Sequence, residues 1–235
     1  MLLENIIIKE KIKKDSIYLP SNTTYFNDWT KLFVLSAKKY VPWINLHCHI
    51  FDMTDEDKLW CEKYGLSYSS EKTPESLTDH DQKRGYWVNI RFYRIPEIFE
   101  DTVSVLALDV DGLIVNEVSE SEFKMDLNKD WVAIREKGSG SLGGCVGLTA
   151  NGAARHIIRD KIFSNNMSEW FLDQKLFDRL INENILSTFG MKYVDYHFRK
   201  ESKVWTGKGN RKFKKVKKDG FPDLIEKYKK LLGEK

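Results

Sequence analysis

Two aspartates one residue apart, Asp109 and Asp111, interrupt the apolar stretch VSVLALDVDGLIV. The aliphatic and β-branched residues before them predict a buried strand that ends at Asp109. Open α/β sheets bind ligands at the carboxyl ends of their strands, and side chains two residues apart point the same way. The pair could therefore bind one Mg²⁺ or Mn²⁺, whose other ligands would be water and phosphate oxygens. The same spacing also occurs in Asx-type surface turns, here followed by Gly112.

The rest of the chain alternates between segments of helical and of strand character, which is typical of α/β domains. Helical spacing and capping residues predict helices over 26–40, 54–65, 86–96, 151–163 and 168–184. Alternation and β-branched runs predict strands over 44–52, 102–108, 129–136, 143–150 and 191–198. Residues 67–83 are rich in Ser, Thr, Asp and Glu, and they predict an exposed, mobile loop.

Composition fits a folded domain and argues against several other classes of protein. With 41% apolar and 13% aromatic residues, 235 residues can bury a full core. No apolar run approaches the roughly 20 residues that cross a bilayer, and charges interrupt the N-terminal segment too early for a signal peptide. We therefore expect a soluble cytoplasmic protein, in the host cytoplasm if its source is a virus.

The cysteines and the paired histidines do not predict a metal or disulfide framework. Cys48, Cys61 and Cys145 show no C-x-x-C pairing, so we expect buried free thiols. His47 and His49 lie on one face of a predicted strand, but no obvious third ligand accompanies them. We interpret both histidines as structural.

Charge is uneven along the chain, because residues 197–235 hold 14 of the 38 Lys and Arg but only 5 of the 35 Asp and Glu. We therefore predict a domain over 1–210 and a basic helical extension over 211–235. The extension could bind a polyanion such as nucleic acid, a phosphorylated donor or an anionic membrane. It could equally be a solvated helix face with a few functional lysines.

Several stretches together resemble a known enzyme family. The order of KLFVLSAKKYVPWINLHCHIFD, IRFYRIPEIFE, VLALDVDGLIV and SEWFLDQKLFDRLI is similar to that in nucleotide-sugar glycosyltransferases of the GT-A fold, distantly like the glycogenin and galactosyltransferase group. The resemblance covers roughly residues 16–210. It implies one Rossmann-related domain with a central mixed, mostly parallel sheet flanked by helices. It also implies a nucleotide-diphosphate sugar donor, with a UDP-sugar favoured, and Mn²⁺ or Mg²⁺ held by Asp109 and Asp111.

The same resemblance assigns roles to further residues. Asp173, with Gln174 beside it, would face the reacting sugar as general base, nucleophile or electrostatic support, depending on the stereochemistry. His197 would complete the metal shell, although the family's H-x-x-G-x-x-K spacing is absent. The residues implied to contact the donor are Tyr18 and Tyr25 at the base, Arg91, Arg94 and Lys208 at the diphosphate, Gly143 and Gly144 at the sugar, and Asp109 with Val110.

Each of these roles has a plainer alternative at the level of the sequence. Arg91 and Arg94 could form surface salt bridges, Asp173 could pair with a residue one turn away on an exposed helix, and the glycines could belong to a flexible hairpin. His197 could be a structural histidine.

The acceptor is not encoded in any motif. A glycan, a protein or a hydroxymethylated DNA base, as in phage DNA-modifying glycosyltransferases, would each supply a hydroxyl, and the basic extension favours a polyanion. Two rival functions stay open: a sugar nucleotidyltransferase, which should carry a basic glycine-rich N-terminal loop that this chain lacks, and a nucleic-acid-binding module using Trp205 and Phe213.

Overall fold

The computed structural model describes residues 6–135, 140–207 and 220–233. The strands are β1 (Ser16–Asn22), β2 (Asn45–Phe51), β3 (Ser67–Glu71), β4 (Val105–Leu108), β5 (Gly112–Ile114), β6 (Trp131–Ile134), β7 (Ser141–Leu148), β8 (Ser187–Phe189) and β9 (Val204–Thr206). The α-helices are α1 (Thr23–Tyr25), α2 (Lys31–Tyr40), α3 (Asp55–Lys63), α4 (His80–Ile98), α5 (Glu120–Asp126), α6 (Ala154–Phe163), α7 (Leu172–Asn182) and α8 (Phe221–Leu232). A π-helix (Phe26–Thr30) joins α1 to α2, and a 3₁₀ helix (Met191–Tyr193) follows β8.

A seven-stranded sheet in the order β3-β2-β1-β4-β7-β6-β8 forms the centre of the described chain. The β3, β2, β1 and β4 strands run parallel, β7 is antiparallel to both β4 and β6, and β8 is parallel to β6. Helices pack on both faces of this sheet, as a mostly parallel sheet requires for burial. The predicted α/β class with a mixed, mostly parallel sheet is confirmed.

Alternate residues of β1 show how the two apolar layers form. Ile17 and Leu19 point into the layer that contains Phe33 of α2, whereas Tyr18 points into the layer that contains Ile90 of α4. Because β1, β2 and β4 are parallel and adjacent, their carboxyl ends meet at one edge of the sheet. Whatever follows Asn22, Phe51 and Leu108 therefore lies at that edge. No strand before residue 44 was evident from the sequence, but β1 is an interior strand of the sheet, between β2 and β4.

The loop predicted over 67–83 is wrong at both of its ends, and only residues 72–79 between them lie outside helices and strands. β3 occupies the first part of that range, and α4 begins at its end with Asp79 as N-cap. The polar residues of β3 point inward and form a buried hydrogen-bonded row with the histidines of β2. His47 contacts Ser67 (3.0 Å) and Ser69 (2.9 Å), and His49 contacts Ser69 (2.8 Å) and Glu71 (3.0 Å). The serines of β3 are therefore hydrogen-bonded to buried histidines and do not indicate a loop. These contacts agree with the interpretation of both histidines as structural.

His47 makes the stability of the fold depend on pH. Burial, followed by the charge of the neighbouring His49, holds the pKa of His47 well below its ordinary value. In the unfolded chain His47 binds a proton at about pH 6.5, whereas in the folded chain it stays neutral at that pH. The free energy of unfolding therefore decreases as the pH falls. We expect the free energy of unfolding to drop by about 1.4 kcal/mol per pH unit below about 6.5.

Urea unfolding of the wild type and of His47→Gln at pH 7.0, 6.0 and 5.5 tests this expectation. The substitution should flatten the profile, and equal slopes for the two proteins would contradict it. Glu71 does not interfere: burial raises its pKa, but His49 and Arg94 outweigh burial and leave the pKa below its ordinary value. The contribution of ionised Glu71 to the free energy of unfolding is therefore lost only below about pH 4.3.

Three further element boundaries differ from the sequence prediction. The helix containing Pro96 continues to Ile98. The helices predicted from 151 and 168 begin instead at Ala154 and Leu172. For α6 the cap comes from a distant element, because the Asp130 carboxylate accepts from the N–H of Ala154 (3.4 Å). Such a cap leaves no local sequence signal.

The strand predicted over 191–198 is also wrong, since this segment forms the 3₁₀ helix and a loop. Asp195 organises that loop, because its buried carboxylate accepts from the N–H groups of His197 (2.9 Å) and Arg199 (2.8 Å). The strand that pairs with β5 is β9, which comes several residues later.

The C-terminal helix packs against the domain. Phe221, Ile225 and Tyr228 of α8 are buried in the same apolar layer as α2. The helix at the end of the predicted extension therefore packs against the core through its apolar face. Among the described residues, no helix has the length and apolar character needed to span a bilayer.

Candidate active site

The first aspartate of the D-x-D pair lies where the sequence places it, directly after β4. Its N–H donates to the carbonyl of Gly144 (2.8 Å), which extends the β4–β7 pairing by one residue. The side chain of Asp109 is 42% exposed, so one carboxylate faces the open edge of the sheet. Asp111 is half-buried, and its carbonyl accepts from the N–H of Gly207 (2.8 Å) beside the β5–β9 ribbon. Both aspartates thus lie at the carboxyl end of β4.

Arg91 links Asp109 to a second carboxylate. This buried residue of α4 places Nη1 2.6 Å from Oδ1 of Asp109 and Nη2 3.6 Å from Oδ2 of Asp173. Nη2 also donates to the carbonyl of Gly143 (3.0 Å). Burial alone would lower the pKa of Arg91, but the charges of Asp109 and Asp173 raise it above its ordinary value. The guanidinium is therefore a permanent cation between an exposed and a buried carboxylate.

Asp173 is held in the first turn of α7, with only 2% of its side chain exposed. Its Oδ1 accepts from the N–H of Gln174 (2.8 Å), and a carboxylate at this end of a helix is favoured by the helix dipole. Burial raises the pKa of Asp173 above its ordinary value, although Arg91 and the Gln174 N–H act in the opposite direction. A desolvated carboxylate with one strong cation as neighbour is typical of catalytic sites.

Two consecutive glycines of β7 make room for these carboxylates. A Cβ atom on Gly143 would lie 2.1 Å from Oδ2 of Asp173, and one on Gly144 would lie 2.1 Å from Oδ2 of Asp109. Both distances are far below any tolerated contact. The sequence predicted that these glycines allow a sugar to approach the backbone closely. In the structure it is the side chains of Asp173 and Asp109 that lie close to the backbone of β7 at Gly143 and Gly144.

Gly144→Ala should displace the Asp109 carboxylate and lower the rate of a reaction at this site by about a hundredfold, as expected for a shift of order 1 Å in a reacting group. A rate for Gly144→Ala equal to that of the wild type would contradict this expectation. Gly190→Ala is the matched control, because a Cβ atom there has no neighbour within 4 Å. Steady-state rates of both variants, measured beside their melting temperatures, separate displacement from unfolding.

Two residues predicted to contact the donor, Arg94 and Tyr18, make other contacts in the structure. Arg94 contacts Glu71 through Nε (2.9 Å) and Glu97 through Nη1 (2.6 Å), so it stabilises the α4–β3 packing and is not brought to Asp109. Tyr18 is fully buried, and its hydroxyl donates to the carbonyl of Arg91 (3.2 Å). A ring inside the core cannot stack on a base, so this part of the prediction for Tyr18 is corrected. The cause is the alternation of β1, which turns Tyr18 toward α4.

Other predicted residues lie in varied positions. Tyr25 lies just after β1, at the carboxyl edge of the sheet, and its side chain is 43% exposed. Val110 is buried in the core. Gln174 is half-buried, and its amide oxygen accepts from Arg135 (3.3 Å). His197 is exposed, with its ring 4.7 Å from that of Tyr196. Lys208 lies outside the described residues.

The acidic residues at the end of β4 fit a metal ion only in part. In the part of the chain that the structure describes, no three or more His, Cys, Asp or Glu side chains are grouped so that they could hold a metal. Asp109, Asp111 and His197 are thus not assembled into one shell. Mg²⁺ and similar cations are nevertheless often held by one or two carboxylates together with substrate phosphates and water. The exposed carboxylate of Asp109 and its neighbour Asp111 fit that donor set.

One residue of this arrangement was missed by sequence analysis. Asn89 of α4 is completely buried and accepts a hydrogen bond from the N–H of Asp173 (3.1 Å). The sequence offered one signal for this residue, a polar amide among the apolar residues of a predicted helix. A polar group that is buried in this way usually has a hydrogen-bond partner.

Comparison with known proteins supports the fold. No family model and no curated protein matches the sequence. Among solved structures, the glycosyltransferase GlyE of Streptococcus pneumoniae TIGR4 matches at a TM-score of 0.62 and 12% identity, over 92% of this chain and 60% of that one. Its apo form matches at 0.51 and 15% identity, over 77% of this chain and 46% of that one. This chain therefore spans about half the length of GlyE.

The galactosyltransferase LgtC, in complex with donor and acceptor sugar analogues, matches over nearly its whole length. The TM-score is 0.61 at 13% identity, over 93% of this chain and 95% of that chain. At such identities the likeness establishes the fold, and the predicted GT-A fold is confirmed.

Proposed function

We propose that this protein is a glycosyltransferase that moves a sugar from a nucleoside-diphosphate sugar to an acceptor hydroxyl. The observation that carries the proposal is the cluster in which Arg91 joins Asp109 and Asp173 over Gly143 and Gly144. The cluster lies at the carboxyl edge of a GT-A sheet, the edge where open α/β sheets bind ligands. The resemblance of the sequence and the likeness to glycosyltransferase structures support the same reading.

Asp109 and Asp111 would hold Mg²⁺ or Mn²⁺, and the ion would neutralise the charge that develops on the departing diphosphate. The chain's own contribution at this point is orientation. The pair Arg91–Asp109 fixes one carboxylate oxygen at 2.6 Å, so the exposed carboxylate is already aimed before any ligand arrives.

Asp173 would supply the acidic group beside the reacting sugar. Its burial excludes water from the carboxylate, and Arg91 stabilises the charged form. If the configuration at the sugar is inverted, Asp173 would accept the proton of the acceptor hydroxyl as general base. If it is retained, the same carboxylate would act as nucleophile or stabilise an oxocarbenium-like state.

The donor we favour is a UDP-sugar, with Tyr25 as the aromatic residue available to its base. The acceptor is a hydroxyl of a glycan or of a hydroxymethylated DNA base. The lysines of 211–235 support a polyanionic acceptor, because each phosphate contact adds salt-dependent affinity. If DNA is the acceptor, charge-reversing substitutions in this segment should raise the KM for DNA and leave the KM for the donor unchanged.

A thermal-shift screen against a panel of nucleotide sugars, with and without Mn²⁺, tests the proposal. A donor that raises the melting temperature only when Mn²⁺ is present is the expected result. No response to any nucleotide sugar, together with a strong response to DNA, would reject the enzyme in favour of a nucleic-acid-binding module.

A further inference from the structure

A buried asparagine connects α4 to the segment that carries Asp173. The amide nitrogen of Asn89 donates to the carbonyls of Met167 (2.8 Å) and Glu169 (2.9 Å). Its amide oxygen accepts from the N–H of Asp173 (3.1 Å). One fully buried side chain thus satisfies three main-chain groups on both sides of the entry into α7. A buried amide with all of these partners fixes the backbone that it contacts.

The segment between these contacts has an unfavourable backbone conformation. Phe171 has φ 65°, in the left-handed region, although it carries a bulky side chain that is 47% exposed. Such a conformation persists only when the surroundings impose it, and it is concentrated at functional sites. Asn89 holds the chain at Glu169 before this residue and at Asp173 after it. The asparagine therefore supplies the constraint that keeps the turn into α7 in place.

A second feature of α4 tightens the same contact. A Cβ atom on Gly85, one turn before Asn89, would lie 2.1 Å from the carbonyl oxygen of Ser168. Glycine at this position lets helix backbone meet loop backbone directly. Arg91, two residues beyond Asn89, contacts the Asp173 carboxylate from the same helix. One helix thus sets the backbone of Asp173 and also the cation beside its side chain.

We propose that Asn89 is a positioning residue that holds Asp173 at the reacting centre. This inference rests on the proposed function, since it assigns Asn89 a part in the reaction through Asp173. Asn89 acts through the main chain and does not touch the donor. Its loss should therefore change the rate of the chemical step and leave donor binding intact.

Kinetics of Asn89→Ala and Asn89→Asp test this role. Asn89→Asp keeps the oxygen that accepts from Asp173 but loses both donors to Met167 and Glu169. We expect kcat to fall about thirtyfold or more in both variants, with the donor KM within threefold of the wild type. Ile90→Val and Ile90→Ala are the matched controls, because Ile90 is a buried neighbour on the same helix. They should lower the melting temperature while kcat stays within twofold. A kcat that simply follows the melting temperature across all four variants would overturn the proposal.

Amide hydrogen exchange tests the positioning without any need for activity. The amide of Asp173 should exchange at least tenfold faster in Asn89→Ala than in whichever of Ile90→Val and Ile90→Ala has the melting temperature nearer to that of Asn89→Ala. Equal exchange in the two proteins would overturn the proposal. If the wild type transfers no sugar from any donor, the proposed function fails, while the exchange result still decides whether Asn89 fixes Asp173.

Discussion

Asp173→Asn should lower kcat for sugar transfer about a thousandfold, within the range expected for loss of a general base or equivalent carboxylate. The substitution keeps the size of the side chain and an oxygen for the Gln174 N–H, so the geometry of α7 should persist. Burial disfavours the charged form of Asp173, and in this variant Arg91 keeps its 2.6 Å contact with Asp109. The melting temperature should therefore stay equal to that of the wild type or rise. Loss of activity without loss of stability is the signature of a group retained for function.

Asp178→Asn is the matched control for that variant. Asp178 lies on the same helix and is exposed, and its carboxylate accepts from the N–H of Ser141 (2.8 Å) outside the cluster. Its substitution should change kcat less than twofold. Steady-state kinetics with saturating donor compare the two variants, and a kcat for Asp173→Asn within tenfold of the wild type would contradict the assigned role.

Arg91→Met should abolish measurable transfer and destabilise the fold. The methionine fills much of the volume but leaves the Asp173 carboxylate buried without its cation. Removing one partner of a buried ion pair typically costs about 3–5 kcal/mol, and we expect the lower end because the other partner, Asp109, is 42% exposed. Urea unfolding measures this loss.

A double-mutant cycle separates the buried charge from lost packing. In the Asp173→Asn background, Arg91→Met leaves no buried carboxylate at that position, so its cost should shrink by about 1–3 kcal/mol. If Arg91→Met costs the same in both backgrounds, the Arg91–Asp173 contact does not stabilise the charged form of Asp173. Arg94→Met would be a poor control, since it leaves Glu71 buried without its arginine.

The sequence predicted the fold class and the strand that ends at Asp109, because apolar periodicity and a D-x-D at a strand exit are local signals. The family resemblance named Asp173, Arg91 and the two glycines as site residues, and the structure places these residues in contact, while their roles in a reaction stay predictions. Arg91 and Arg94 could not be told apart by spacing. Both are buried on α4, and only the packing of β3 decides that Arg94 contacts Glu71.

What the sequence missed depends on contacts between distant elements. The Ser-rich composition of β3 predicts a loop until its partners His47 and His49 are seen beside it. The cap of α6 comes from Asp130, and the backbone of Asp173 is held by Asn89 across 84 positions in the chain. A polar residue with a remote partner looks in sequence like any surface residue.

The most direct test of the central claim is nucleoside-diphosphate release from the responding nucleotide sugar, measured for the wild type, Asp109→Asn and Asp111→Asn. We expect release by the wild type with Mn²⁺, none after chelation, and a loss of at least a hundredfold in each variant with the melting temperature preserved. Release by Asp109→Asn at the wild-type rate would show that the D-x-D pair does not hold a catalytic metal ion.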